Sequence, residues 1–327
     1  MTALGLTVPL DGLALSRQHE LLDEVESVSY TDLGSAEASG ADAFTPLVAA
    51  AVSHPSFRLG TAIVPAFTRG PGLIAMSIAA LADVARGEVA LGLGTSSDVI
   101  VERWNGQEFR APYQRVRDVA TFVRRALTGE RVDMACESFT ISGFRLARVP
   151  ERAPKLLVAA LRPGMLRLAG RVSDGAILNW LSAGDVTRVV PHVRESNPDA
   201  EIVTRLFVVP STDVDAVRAT AKRAIAAYLN VAVYAEFHRW LGRAEALEPM
   251  WRAWRAGDRA AALAAIPDSL VDELFLHGTP SQISARVREY VDAGVTTPVL
   301  ALMPAAGEEP PSPATIAAIG RAHTAGG

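Results

Sequence analysis

The stretch Glu88-Val89-Ala90-Leu91-Gly92-Leu93-Gly94-Thr95-Ser96-Ser97-Asp98-Val99 decides between two folds. Its first six residues read as a buried β-strand, and Gly94 opens a turn. An open doubly wound sheet that cradles a dinucleotide carries G-x-G-x-x-G after its first strand. Here Gly92-x-Gly94 exists, but the third glycine is missing and three strand patterns already precede it. The alternation around this stretch must therefore be read as something else.

Working outward, strand patterns fall at Leu4–Val8, Ser29–Leu33, Arg58–Val64, Glu88–Leu93, Lys155–Ala159, Gly175–Asn179, Ile202–Val209 and Thr297–Leu302. Helical patterns separate them: 16–26 with Ser16 as N-cap, 46–52, 73–85, 114–127, 164–171, 185–195, 213–229 and 280–293. Strict β/α alternation argues for a parallel sheet. Eight such units in a chain of 327 residues predict a closed (β/α)8 TIM barrel, with the last strand closing against the first. Two segments interrupt the rhythm. Residues 138–148 alternate around Ser142-Gly143, the pattern of a β-hairpin excursion. Residues 230–274 are helical in character and form an insertion before strand eight. With no long linker, residues 1–327 are expected to be a single barrel domain.

Composition excludes several classes. Apolar residues make up 49% and charged residues 21%, which rules out wholesale disorder. The net charge of −4 offers no basic surplus for nucleic acid. Only Cys136 is a cysteine, so an intramolecular disulfide or a cysteine-rich metal site is excluded. The six histidines show no metal-ligand spacing, and no metal is expected. No apolar run spans a bilayer and residues 1–10 lack a signal-peptide pattern, so a cytoplasmic protein is expected. Thirty of the 32 basic residues are arginine, which with the many alanines suggests a GC-rich bacterial genome.

In a barrel the reactive face lies at the carboxyl ends of the strands. That rule selects Glu37 and Asp42 after strand two, and Thr68 and Arg69 after strand three. It selects Gly94, Thr95, Ser96 and Ser97 after strand four, Arg162, Pro163, Gly164 and Met165 after strand five, and Asn179 and Trp180 after strand six. Gly94–Ser96 offers hydroxyls and N–H groups. Arg162–Met165 opens a helix with proline in its first turn, a place where free N–H groups can receive a phosphate. Ordinary strand-to-helix turns look the same, so spacing alone leaves both readings open.

Several segments, in order, resemble the bacterial luciferase-like monooxygenase family, and within it the branch that uses the deazaflavin coenzyme F420. They are Gly60-Thr61-Ala62-Ile63-Val64-Pro65-Ala66-Phe67-Thr68-Arg69-Gly70-Pro71, Leu91–Ser96, Ala159–Gly170, Asp174–Trp180, His277–Pro280 and Tyr290–Val295. The resemblance implies a barrel with a flavin or deazaflavin across its carboxyl end. It implies a non-prolyl cis peptide near Ala62-Ile63, with Val64 completing the ring-supporting segment. Phosphate contacts carry over to Gly94–Ser96 and Arg162–Met165, with Asn179 and Trp180 beside them. Glu37 and Asp42 match polar positions beside the ring and are the candidate catalytic groups. The sugar-phosphate dehydrogenase members carry a His and a Trp after strand two and a carboxylate after strand four. Gly34–Ser39 and Thr95–Ser97 lack them, so that acid/base scheme does not transfer.

The resemblance thus implies hydride transfer between an organic, small-molecule substrate and F420. The alternatives are an FMN-dependent monooxygenase and a non-catalytic flavin-binding barrel. Arg162, Arg167, Arg239 and Arg243 are the expected cations for the coenzyme's anionic tail. A homodimer is expected, because the Ala-rich stretch 72–82 has little charge to face solvent.

Overall fold

The computed structural model describes residues 3–325. Its strands are β1 Gly5–Thr7, β2 Asp32–Ser35, β3 Arg58–Thr61, β4 Val64–Pro65, β5 Val89–Gly94, β6 Val132–Ala135, β7 Thr140–Phe144, β8 Lys155–Ala159, β9 Gly175–Asn179, β10 Glu201–Val209, β11 Phe275–His277 and β12 Thr297–Leu302. The helices are α1 Gln18–Glu26, α2 Thr45–Ser53, α3 Pro71–Val84, α4 Pro112–Ala126, α5 Pro163–Val172, α6 Ala183–Arg194 and α7 Val214–Leu229. Then come α8 Ala232–Trp240, α9 Ala244–Arg255, α10 Arg259–Ala264, α11 Asp268–Leu274, α12 Pro280–Asp292 and α13 Pro313–Ala325.

Parallel pairing runs β12-β1-β2-β3-β5-β8-β9-β10 and returns to β12, which closes an eight-stave (β/α)8 barrel. Gly5 sits opposite Val299 at the closure. Strand three is one stave in two pieces, β3 and β4, joined across a cis peptide between Ala62 and Ile63. Inside the barrel, Ala90, Leu157, Ile177, Val203 and Val299 form a plug, with Ala62, Ile63 and Ala159 packed on it. Gly92 makes the plug possible: a Cβ there would lie 2.0 Å from the Thr61 carbonyl oxygen and 2.4 Å from the Ile177 side chain.

The amino-terminal end is closed by charge. Arg58 donates to both carboxylate oxygens of Glu201 and to Asp32, while Lys155 reaches Glu201 at 3.3 Å and Glu88 at 3.4 Å. Burial pushes Arg58 towards deprotonation, but Glu201, Asp32 and Glu88 together hold its pKa above the ordinary value. Burial also raises the Asp32 carboxyl above the usual carboxylate range, against the pull of Thr31 and Arg58.

The insertion is α8 to α11. It does not stand off the barrel. Its Leu247, Met250, Trp251 and Val271 share a core with Phe207 and Ala301 of the barrel strands.

Four details differ from the sequence reading. The hairpin is β6–β7, and its turn lies at residues 136–139, where the Cys136 N–H meets the Phe139 carbonyl. Ser142-Gly143 is inside β7. Gly143 has φ +72°, and it and Ser142 both donate to Asp133 where the register shifts. Ser16 does not cap α1. A 3-10 turn at Leu15–Arg17 leads into the helix instead, and Gln18 is buried with its amide donating to the Pro46 carbonyl. Strand two is Asp32–Ser35 rather than 29–33, because Tyr30 is buried with its hydroxyl on the Ile316 carbonyl. Finally, β11 follows the insertion and pairs with the end of β10. Among the described residues, no helix is long and apolar enough to cross a membrane.

Candidate active site

A cavity of about 1100 Å³ opens at the carboxyl ends of the barrel strands. Its floor is the top of the barrel plug: Ala62, Ile63, Ala159 and Ile177. One side is the β5 loop, Gly94 to Ser97. The next is the β8–α5 turn, Ala160 to Met165. Asn179 and Arg205 follow, and the insertion side brings Tyr228, Tyr234 and Trp240.

The β8–α5 turn is built to leave donors free. Arg162, the N-cap, is extended at φ −116°, and no side chain caps the helix. By contrast, α6 and α12 carry full capping boxes from Ser182 and Thr279. The first N–H groups of α5 therefore face the cavity without an internal partner, at the positive end of the helix dipole. A Cβ built on Gly164 meets nothing within 4 Å, so the space beside this turn is open. Arg162 is exposed at the rim.

Across from it, Ser96 holds φ +61°, the left-handed region that a serine seldom adopts. Such a conformation persists only where the surroundings impose it, and it turns Thr95–Ser97 to line the cavity. A π-helical turn at Val99–Trp104 follows. Turns of this kind are frequent at functional sites.

Glu37 lines the cavity but is already engaged. Arg69 donates to its two oxygens at 2.8–3.2 Å, and the Ala43 N–H approaches at 3.3 Å. Arg69 has its pKa raised by that pair. Asp42 does not line the cavity. Its side chain accepts from the Phe44 and Thr45 N–H groups at 2.9 and 3.1 Å, and from the Thr45 hydroxyl, at the start of α2. Burial opposes its ionisation, but these donors and Arg69 outweigh it and lower the carboxyl below its ordinary range.

Of the twelve positions expected to hold a coenzyme, Ala62, Ile63, Gly94, Thr95, Ser96, Arg162, Pro163, Gly164, Met165 and Asn179 surround the cavity. Val64 and Trp180 do not. Val64 is fully buried in the main core. Trp180 has φ +56°, which turns its ring away from the barrel mouth into the insertion core. There it packs on Phe207 at 4.2 Å and behind Tyr228 at 4.9 Å. Of the expected tail cations, Arg243 is consumed by Asp185 and Glu273 at 2.8 and 2.7 Å, and Arg167 lies off the cavity. Arg239 lines it, paired with Glu236 at 2.6 Å and lying over Trp251 at 4.2 Å.

Two residues on the cavity wall went unnoticed in the sequence. Arg205 lies within β10, opposite Asn179 in register, rather than in the loop after the strand. The signal was there: Val203 points into the barrel plug, and two residues on, the same inward face carries a charge. Tyr234, in α8, contributes a phenol whose pKa burial pushes up to about 12, aided by Tyr228 and opposed by Arg205 and Asn179. At neutral pH it is a protonated donor. Among the described residues no group of His, Cys, Asp and Glu gathers as a metal site.

The comparisons agree with this architecture. A protein of Mycobacterium tuberculosis provisionally named a coenzyme F420-dependent oxidoreductase is 29% identical, covering 91% of this chain and 94% of its own length. The 5,10-methylenetetrahydromethanopterin reductase of Methanolobus tindarius is 28% identical over 78% of this chain and 80% of its own. Among solved structures, the coenzyme F420-dependent tetrahydromethanopterin reductase of Methanopyrus kandleri superposes with a TM-score of 0.80. It is 19% identical and covers 99% of both chains, which establishes the shared barrel. The family model described as luciferase-like monooxygenase matches residues 4–297, and the chain belongs to that family.

Proposed function

We propose that the protein is an oxidoreductase that transfers a hydride between an organic substrate and the deazaflavin coenzyme F420. One observation carries the reading: a single cavity joins an apolar floor to a helix start whose N–H groups are free. A flat, phosphorylated ring compound fits that combination. The open space beside Gly164 leaves room for its phosphate, and the small side chains of Ala62 and Ala159 leave room for its ring. Two relatives similar over most of the chain carry F420 in their names, which favours F420 over FMN as the group that fills it.

When bound, the deazaflavin supplies a carbon that accepts or delivers the hydride without activating oxygen. The chain's own part is placement. Gly164 and Met165 would hold the phosphate through backbone N–H groups, and Arg162 would add charge at the rim. Thr95 and Ser96 support the opposite edge. Tyr228 and Trp240 line the insertion side. Glu37 is the candidate acid/base group, with Arg69 fixing its orientation.

We also propose that the chain works as one barrel unit in a bacterial cytoplasm and as a homodimer. The last point rests on α2 and α3, neighbouring helices that expose Val48, Val52, Leu73 and Met76 together. Side-by-side titration with F420 and FMN, oxidised and reduced, tests the function. F420 binding is expected. Tight FMN binding with no affinity for F420 would move the protein to oxygen-using chemistry, and affinity for neither would make it a barrel without this cofactor.

A further inference from the structure

We propose that Arg205, with Asn179 and Tyr234 beside it, is a subsite for a carboxylate on the organic substrate. This deepens the hydride-transfer reading and rests on it for the word substrate.

The cations around the cavity are not equivalent. Arg69 is neutralised by Glu37, and Arg239 by Glu236. Arg162 stands at the rim beside the free end of α5. Arg205 is different in depth and in partners. It is part of a barrel strand, one inward step above Val203 of the plug, so it stands directly over the apolar floor. Among the described residues no carboxylate pairs with it, and its buried Nε has no hydrogen-bond partner. Its guanidinium lies over the Phe207 ring at 5.1 Å, which fixes the plane it offers.

A cation in a largely apolar cavity is costly unless a counter-charge arrives with the ligand. The geometry selects the kind of anion. A guanidinium presents parallel N–H donors that match a planar carboxylate. Asn179 and the Tyr234 phenol are neutral neighbours that can donate but bring no second positive charge. One cation without a second suits a monoanion better than a phosphate dianion. The coenzyme's phosphate would be held elsewhere, at the uncapped start of α5, which leaves Arg205 to another anion.

The test uses benzoate and cinnamate as probes, each against its neutral amide. Binding is measured by calorimetry on the protein alone and on the protein loaded with F420. Each carboxylate is expected to bind about tenfold or more tighter than its amide, the scale of a hydrogen bond to a charged group. Arg205→Met and Arg205→Gln should abolish the difference, and Arg205→Lys should keep part of it. Equal affinity of acid and amide in the unsubstituted protein overturns the proposal, whatever the variants do. A preference that survives Arg205→Met in a folded variant also overturns it. So does loss of F420 affinity in that variant with benzoate binding unchanged, which would give Arg205 to the coenzyme. If F420 fails to bind while the carboxylate preference persists, the function falls and the subsite stands.

Discussion

Arg58 grips Glu201 with both arms of its guanidinium, at 2.6 and 2.9 Å, across 143 residues of chain. The pair ties strand three to strand seven of the barrel at the end opposite the cavity. Both side chains are largely buried, at 19% and 11% exposed. With Glu201 gone, Asp32 and Glu88 still face Arg58, so the loss is that of hydrogen bonds to a charged group, about 1.5–3 kcal/mol. Glu201→Gln should therefore lower the unfolding free energy strongly while leaving coenzyme affinity in the surviving folded protein unchanged. Denaturant unfolding and F420 titration on the same preparation check both halves.

The free start of α5 makes a second prediction. Arg162→Ala should weaken F420 binding by about 1–3 kcal/mol, the range for hydrogen bonds to charged groups. Gly164→Val should weaken it too, by filling the open space beside the turn, with little change in thermal stability. Fluorescence titration reads the affinities. A Gly164→Val protein that binds F420 normally would place the phosphate elsewhere.

Most of the barrel was legible because alternation and periodicity are local properties. The order of β1, β5, β8, β9, β10 and β12 follows from apolar runs alone, and so does the place of the insertion. What was not legible depends on partners far away in the chain. The β6–β7 turn is set by α4: Asp118 accepts from the Ser138 N–H and hydroxyl, and Arg115 donates to the Ser138 carbonyl. No pattern within 136–148 shows that, and Ser142-Gly143 imitates a turn while serving as an irregularity inside β7. The candidate site divides in the same way. Loop positions such as Gly94–Ser96 and Arg162–Met165 follow from the rule that strand ends carry the site. Asp42 stays out of the cavity because a short acid just before a helix serves the helix first. Trp180 lies in the insertion core because its left-handed backbone turns its side chain away from the cavity.

A third prediction concerns association. Val52 and Met76 are 73% and 54% exposed on adjacent helices. If this face joins two copies, Val52→Glu and Met76→Glu together should convert a dimer to the 34.6 kDa monomer. Sedimentation before and after the substitution decides it. A monomer already present without the substitutions at micromolar concentration would remove the proposed dimer.

His238, in α8, is completely buried, with the Trp180 backbone, Arg243 and Asp185 around its ring. Burial is the larger cause that lowers its pKa, to about 3, and the nearby Arg243 adds to it while Asp185 and the Trp180 backbone oppose. An unfolded chain protonates this ring at its ordinary value near pH 6.5. The folded protein thus binds fewer protons than the unfolded one between those two values. Stability from this residue is fully present above pH 6.5 and is lost as the pH falls towards 3. The slope approaches about 1.4 kcal/mol per pH unit, so acidification from 6.5 to 5 should cost about 2 kcal/mol. Thermal midpoints measured from pH 7.5 to 5 should fall accordingly. In His238→Gln the pH slope of the midpoint over that range should flatten. An equal slope in both proteins would assign the acid sensitivity to other groups.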